Sequence, residues 1–189
     1  ASNGTASAST PLQIPEDTLP GSYYVIAKAD WNALVAESTE TNNNKYSGVF
    51  RIGGDLVVST VSGPATAMAN GSITVTDTTK NQGAAPLPES VTSFYLSPNN
   101  SYSPTDQLLG SRVVGSLGPL ATDSASTSLV IPPGTAPGSY YVIAVADANN
   151  TVAESLEDNN TQNSAVLRIG PDLPGTSVTG PSTAVPGTR

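Results

Sequence analysis

The 189-residue chain has no cysteine and no histidine. Without cysteine there is no disulfide, no thiolate nucleophile and no thiolate metal site; without histidine the usual general base and the commonest transition-metal ligand are missing. Most hydrolase constellations are thereby excluded, and only carboxylate chemistry stays open. Positive charge is scarce as well, with seven Lys and Arg against fifteen Asp and Glu and a net charge of -8. Nucleic acids and anionic membranes require a basic patch, so neither is an expected partner, and cations are the favoured small partners. The longest apolar run, Tyr140 to Ala146, is too short to cross a bilayer, so no membrane insertion is expected in this segment. A polar Ser/Thr/Ala stretch follows Ala1, and any export signal or anchor is expected outside this window.

The informative presence is a repeat. Pro20-Gly21-Ser22-Tyr23-Tyr24-Val25-Ile26-Ala27 recurs as Pro137-Gly138-Ser139-Tyr140-Tyr141-Val142-Ile143-Ala144, an offset of 137 − 20 = 117. Without a gap the same offset pairs Asp30 with Asp147, Glu37 with Glu154, Glu40 with Glu157, and Asn42-Asn43 with Asn159-Asn160. It goes on to pair Arg51-Ile52-Gly53 with Arg168-Ile169-Gly170, and Asp55-Leu56 with Asp172-Leu173. The chain therefore reads as the C-terminal part of one repeat (1–54), a complete repeat (55–171) and the start of a third (172–189). It reads as a window on a longer array rather than a subunit whose broken halves neighbours complete, and residues 1–54 are expected to be well ordered only if they borrow strands or if their missing strands are present but unseen.

The fold expected is all-β: tandem immunoglobulin/fibronectin-III-like, seven-stranded β-sandwiches. Seven β-rich runs near 55–62, 72–82, 90–97, 108–115, 124–131, 138–147 and 162–170 are separated by Gly, Pro, Asn and Ser clusters, and no helical apolar period appears. Lys28 stands where Val145 stands in the later copy, which assigns that face of the sixth strand to the outside. Period-two alternation then sends Tyr140, Val142, Ala144 and Ala146 inward. They should meet Ile73, Val75, Phe94, Leu96, Leu129, Ile131, Leu167 and Ile169 in an aliphatic core. Junctions as short as Gly53-Gly54 and Gly170-Pro171 should restrict the angle between repeats.

These residues resemble the CARDB family, cell-adhesion-related domains found in bacteria. The resemblance rests on Asp55-Leu56-Val57-Val58, Thr79-Lys80-Asn81-Gln82-Gly83, Phe94-Tyr95-Leu96-Ser97, Leu108-Leu109-Gly110, the Pro-Gly-x-Tyr-Tyr strand, and Asp147 followed by Glu154, Glu157, Asn159 and Asn160. It implies an immunoglobulin-like or fibronectin-III-like sandwich, found in tandem in exported prokaryotic proteins with adhesive or scaffolding roles. Pro174-Gly175, where the earlier copy has Val57-Val58, departs from the pattern.

Two sites invite a chemical reading. The acidic loop carries Asp147, Glu154, Glu157, Asp158 and Asn159, with Asp30, Glu37, Glu40 and Asn42 in the earlier copy; hard oxygen ligands of this kind suit calcium. The alternative is solvated acids, with the Asn side chains satisfying turn backbone. A second loop, Ser97 to Asp106, has one carboxylate and reads as a hydrogen-bonded turn. Paired acids are also the equipment of glycosidases, but acids recurring in every copy do not make the unique cleft that catalysis needs, so no enzyme is expected. Trp31, opposite Ala148 in the repeat, sits at a loop tip. It could anchor a partner or glycan, and packing at the domain junction is the preferred reading.

The function expected is that of a structural or adhesive extracellular module, a spacer or filament element on a prokaryotic cell surface. Its partners would be copies of the same protein, neighbouring repeats, or a surface glycan or protein ligand. A carbohydrate-binding module and an accessory array of a secreted hydrolase are the alternatives.

Overall fold

The computed structural model describes residues 4–171 and Thr179, and no helix occurs among them. Apart from Thr179, the expected third repeat at 172–189, with its Pro174-Gly175 departure, lies outside the described residues.

The chain opens with four short strands, β1 (Gly21–Tyr23), β2 (Ile26–Lys28), β3 (Asn44–Tyr46) and β4 (Phe50–Ile52), paired antiparallel as β1 with β4 and β2 with β3. A β-sandwich follows. One sheet has the order β10 (Thr122–Val130), β7 (Ser72–Asn81), β5 (Leu56–Ser62). The other runs β9 (Gln107–Val114), β8 (Ser90–Ser97), β11 (Gly138–Val145), with β12 (Thr161–Asn163) and β13 (Leu167–Ile169) both on the far side of β11 and the two-residue β6 (Thr66–Ala67) parallel to β13.

Strand β7 shows why these residues make a sandwich. Its inward positions Ile73, Val75, Asp77, Thr79 and Asn81 are all buried. Its outward positions are hydroxyls that pair across the sheet with β10: Ser72 with Ser128 at 3.0 Å, Thr76 with Ser126 and Thr78 with Ser124 at 2.8 Å. Alternating β-branched or aliphatic residues with Ser and Thr thus feeds a core on one face and a hydroxyl ladder on the other. Phe94, Val75, Ile131, Val142, Ala144 and Leu167 lie at its centre, each no more than 1% exposed.

The inward residues expected of the complete repeat are buried, with Tyr140 packed at the margin of the core. Three expectations need correction. The last strand is broken into β12 and β13, because Ser164 Oγ accepts the Val142 N–H at 3.0 Å and replaces a backbone partner there. The outward face of β11 is covered: Ile143 and Val145 are 1% and 9% exposed. Ile143 stands opposite Tyr95 of β8, whose ring meets Tyr102 of the 97–106 loop at 5.0 Å, and Tyr102 and Val145 line one hollow. The interior is also not wholly aliphatic. Arg112 of β9 makes a two-pronged bond to the fully buried Asp77 (Nε–Oδ1 2.8 Å, Nη2–Oδ2 2.7 Å) and reaches Asp123 at 2.7 Å, while Thr79 and Thr92 pair at 2.8 Å.

The N-terminal strands copy part of this sandwich. Gly21↔Ile52, Ser22↔Arg51 and Tyr23↔Phe50 repeat Gly138↔Ile169, Ser139↔Arg168 and Tyr140↔Leu167, and β2–β3 repeats the register of β11–β12. Gly53 and Gly170 share a left-handed φ of 112° and 117°, and at each a Cβ would lie 2.7 or 2.8 Å from the Cβ of Pro20 or Pro137, so only glycine fits. Local hydrogen-bonded order forms here among the described residues, but burial does not. Val25 and Ile26 are 38% and 58% exposed, against 1% for each of Val142 and Ile143.

Candidate functional site

The acidic loop leaves β11 at Asp147, whose left-handed φ of 41° turns the chain. Asp147 Oδ1 accepts the Thr151 N–H at 3.2 Å and Oδ2 the Val152 N–H at 2.9 Å, a local turn lock of the kind Asp makes readily. Three residues after Glu154, Glu157 Oε1 accepts the Glu154 N–H at 2.8 Å. The side chain of Glu154 is thereby aimed inward. Its Oε1 accepts the Asn160 amide at 2.9 Å, and its Oε2 accepts the backbone N–H of Leu56, the first residue of β5.

The neighbouring bonds extend this contact into a clasp around the point where the chain enters the sandwich. Ser155 N–H donates to Gly54 O at 2.8 Å, Asn159 Nδ2 to Asp55 Oδ1 at 2.9 Å, and Gln82 Nε2 to Asp55 Oδ2 at 3.0 Å. The amides of Ala84 and Ala85 donate to Gly53 O at 3.0 and 3.2 Å. Gly54 packs so closely that a Cβ would stand 2.2 Å from Leu87 Cγ. Burial pushes the Glu154 carboxyl up to about 7; Glu157 and Asp147 add to the rise, and the bonds from Leu56 and Asn160 oppose it. Chemically the arrangement holds backbone: it binds the start of the first strand to the loop between the last two.

The expected calcium ligands therefore divide. In the complete repeat Asp147 and Glu154 are buried and engaged as described, Glu157 caps a backbone amide, Asn159 holds Asp55, and Asp158 is exposed. In the earlier copy the local bonds recur: Asp30 accepts the Leu34 and Val35 amides at 3.0 Å each, Glu40 the Glu37 amide at 2.9 Å, and Glu37 the Asn43 side chain at 2.7 Å. Asn42 is exposed. Here oxygens of Asp30, Glu37 and Glu40 lie within 4.8 Å of one another, and no first strand reaches Glu37 among the described residues. Trp31 stands 76% exposed at its loop tip among the described residues. The 97–106 loop is closed by its own bonds, such as Ser103 N–H to Asp106 at 2.8 Å. A hollow of about 650 Å³ lies at the incoming junction among Val49, Arg51, Gly53, Asp55, Gln82 and Gly83.

Reading the sequence alone missed the role of Asp55, the Asp77–Arg112–Asp123 group, and one more copied segment. An acid at an inward position of β7 is a signal that a buried cation must face it. The offset also pairs Thr5 with Thr122, Ser7-Ala8-Ser9-Thr10 with Ser124-Ala125-Ser126-Thr127, Leu12 with Leu129, Ile14 with Ile131 and Pro15 with Pro132. The turn after it is the same in both copies: the Thr18 hydroxyl donates to Pro15 O at 2.7 Å, that of Thr135 to Pro132 O at 2.8 Å.

The family model for CARDB matches residues 53–164. The chain belongs to the CARDB family. Its fold is a CARDB-like β-sandwich, and the family is non-catalytic. A CARDB domain from Pyrococcus furiosus, whose crystal structure is in complex with di-metal ions, is 24% identical with a TM-score of 0.46, over 62% of this chain and 89% of that one. A domain of a "putative cell surface protein" from Methanosarcina acetivorans is 24% identical with a TM-score of 0.45, over 61% of this chain and 91% of that one. A β-glucosidase from Listeria innocua is 16% identical with a TM-score of 0.40, over 63% of this chain and 16% of the enzyme. Among curated proteins none matches.

Proposed function

We propose that this CARDB chain is a structural module of a prokaryotic surface protein, a spacer that transmits position from one repeat to the next. The observation that carries the reading is the path of the backbone. The chain enters where β11 ends, clasped at Gly53 and Gly54 by Ala84, Ala85 and Ser155, and leaves where β11 begins, with Gly170 N–H bonded to Ala67 O at 3.1 Å. Arrival and departure at opposite ends of the sandwich, with the incoming linker stitched to two loops, suit modules strung end to end at a restricted angle. A surface location accords with the family and with the description of the Methanosarcina relative. An eight-residue strand spans about 26 Å at ~3.3 Å per residue, so each sandwich with its loops should add roughly 40 Å.

Small-angle scattering tests this on chains carrying one, two and three copies of residues 55–171. The maximum dimension should grow by about 40 Å per added copy; growth well below that, from modules folding back on each other, rejects the spacer. A glycan-binding reading is favoured by the exposure of Trp31. It requires glycan retention by the chain that disappears in Trp31→Ala.

A further inference from the structure

We propose that the sandwich bears tension applied along the repeat axis, through a clamp in which residues 54–67 are tied directly to residues 154–170. The inference deepens the spacer reading and rests on the chain path given there. The spacer concerns length, and the clamp concerns resistance to pulling.

The clamp begins in the sequence. Gly63-Pro64 interrupts the first strand: the β5–β7 ladder ends at Ser62↔Thr76, and proline offers no N–H with which to continue it. The chain then crosses to the other sheet, where β6 lies parallel to β13 with Thr66 opposite Arg168 and Ala67 opposite Ile169. Ala65 O accepts the Arg168 N–H at 2.9 Å, and Ala67 O the Gly170 N–H at 3.1 Å. These bonds lie at the end where the chain leaves. At the end where it enters, Gly54 O accepts the Ser155 N–H at 2.8 Å, Glu154 accepts the Leu56 N–H, and Asp55 accepts the Asn159 side-chain amide at 2.9 Å. Between the two ends β12 lies close to β5. The first and last segments of the sandwich are thus tied to each other twice, once at each end.

Direction decides what those ties do. Both segments run from the entry end to the exit end, so tension draws residues 54–67 back toward the entry and residues 154–170 on toward the exit. Parallel strands pulled in this way slide along their own axes, and the bonds between them must stretch together. Strands parted from one end lose their bonds one after another. Burial adds to the resistance: Leu56, Val58, Leu167 and Ile169 are each no more than 5% exposed, so sliding also draws apolar side chains out of the core. Strands β8, β9 and β10 lie off this path. Both halves of the clamp are written twice in the sequence, Gly63-Pro64-Ala65-Thr66-Ala67 again as Gly180-Pro181-Ser182-Thr183-Ala184, and Arg168-Ile169-Gly170 again as Arg51-Ile52-Gly53.

The test pulls single molecules of the whole chain in optical tweezers along two directions. The chain has no cysteine, so introduced cysteines define the handles. One sample carries handles at its two termini. The other carries them at Ala69→Cys and at the C-terminus; Ala69 is exposed just past β6, at the same end of the parallel pair as Gly170, so this load opens the pair from one end. At equal force the sample pulled by its termini should unfold at least about fivefold more slowly, the factor that one further hydrogen bond broken in the same step is worth. Arg168→Pro deletes the N–H given to Ala65 O and should remove that difference. Equal rates along the two directions overturn the proposal whether or not Arg168→Pro folds, and so does a difference that folded Arg168→Pro leaves intact. A spacer that fails does so in the scattering of tandem chains; the clamp fails only here.

Discussion

Residues 20–53 and 137–170 are two versions of one hairpin within one molecule. They share register, turn locks, a left-handed glycine and an acid that accepts the amide of the residue three before it, yet the apolar side chains of one are largely exposed and those of the other are core. Local hydrogen bonding is therefore written in the hairpin itself, while burial belongs to the strands around it. Each large aliphatic side chain taken from water contributes ~1.5–3 kcal/mol, and a two-stranded ribbon alone is marginal in water. The comparison also explains why the acids recur: Glu154 becomes a structural acceptor only when a first strand presents Leu56, and Glu37 has the geometry without the partner.

Substitutions made in pairs sharpen the contrast. Breaking the buried ion group in the covered region should cost most. Asp77→Ala leaves the Arg112 guanidinium interior and half paired, and should lower unfolding free energy by ~3–5 kcal/mol in denaturant titration. Next come matched truncations at equivalent positions. Ile143→Ala should cost ~2–4 kcal/mol and Ile26→Ala less than ~0.5 kcal/mol; equal costs would break the comparison.

A smaller effect should appear on titration. The Glu154 carboxyl is raised from 4.5 to about 7, so the folded sandwich holds a proton that the unfolded chain releases. The stability it contributes is fully present below the unfolded value and is lost as pH rises through about 7. The melting temperature should therefore decline between pH 5 and pH 8, with the slope reduced in Glu154→Gln and unaltered in Glu37→Gln. The smallest effect concerns calcium. Because backbone and amide donors occupy Asp147 and Glu154, millimolar Ca²⁺ should leave the melting temperature of the sandwich unchanged. A saturable rise that disappears with Asp147→Ala would instead make the loop a cation site.

Much of the fold is legible in the sequence. The alternation in 72–82 marks the core because side-chain period and burial are tied by strand geometry. The 117-residue offset locates the copied hairpin because identical local bonds demand the same residues. What escapes depends on partners distant in sequence. Asp77 finds Arg112 across the two sheets, and Glu154 finds Leu56 at the far end of the repeat; no local pattern announces either. The outward face of β11 misleads because Lys28 reports an exposed copy of the strand, whereas Tyr95 and Tyr102 cover Val145 and Ile143 in the complete one.

Residue-resolved hydrogen exchange on the unaltered chain tests the central claim most directly, because both hairpins are measured in one sample. Cover by the other strands, rather than local hydrogen bonding, should set protection. The amides of Ile143, Ala144 and Val145 should exchange at least about a thousandfold more slowly than those of Ile26, Ala27 and Lys28. Comparable protection at the two sets would contradict the account, since their shared local bonds would then suffice for stability.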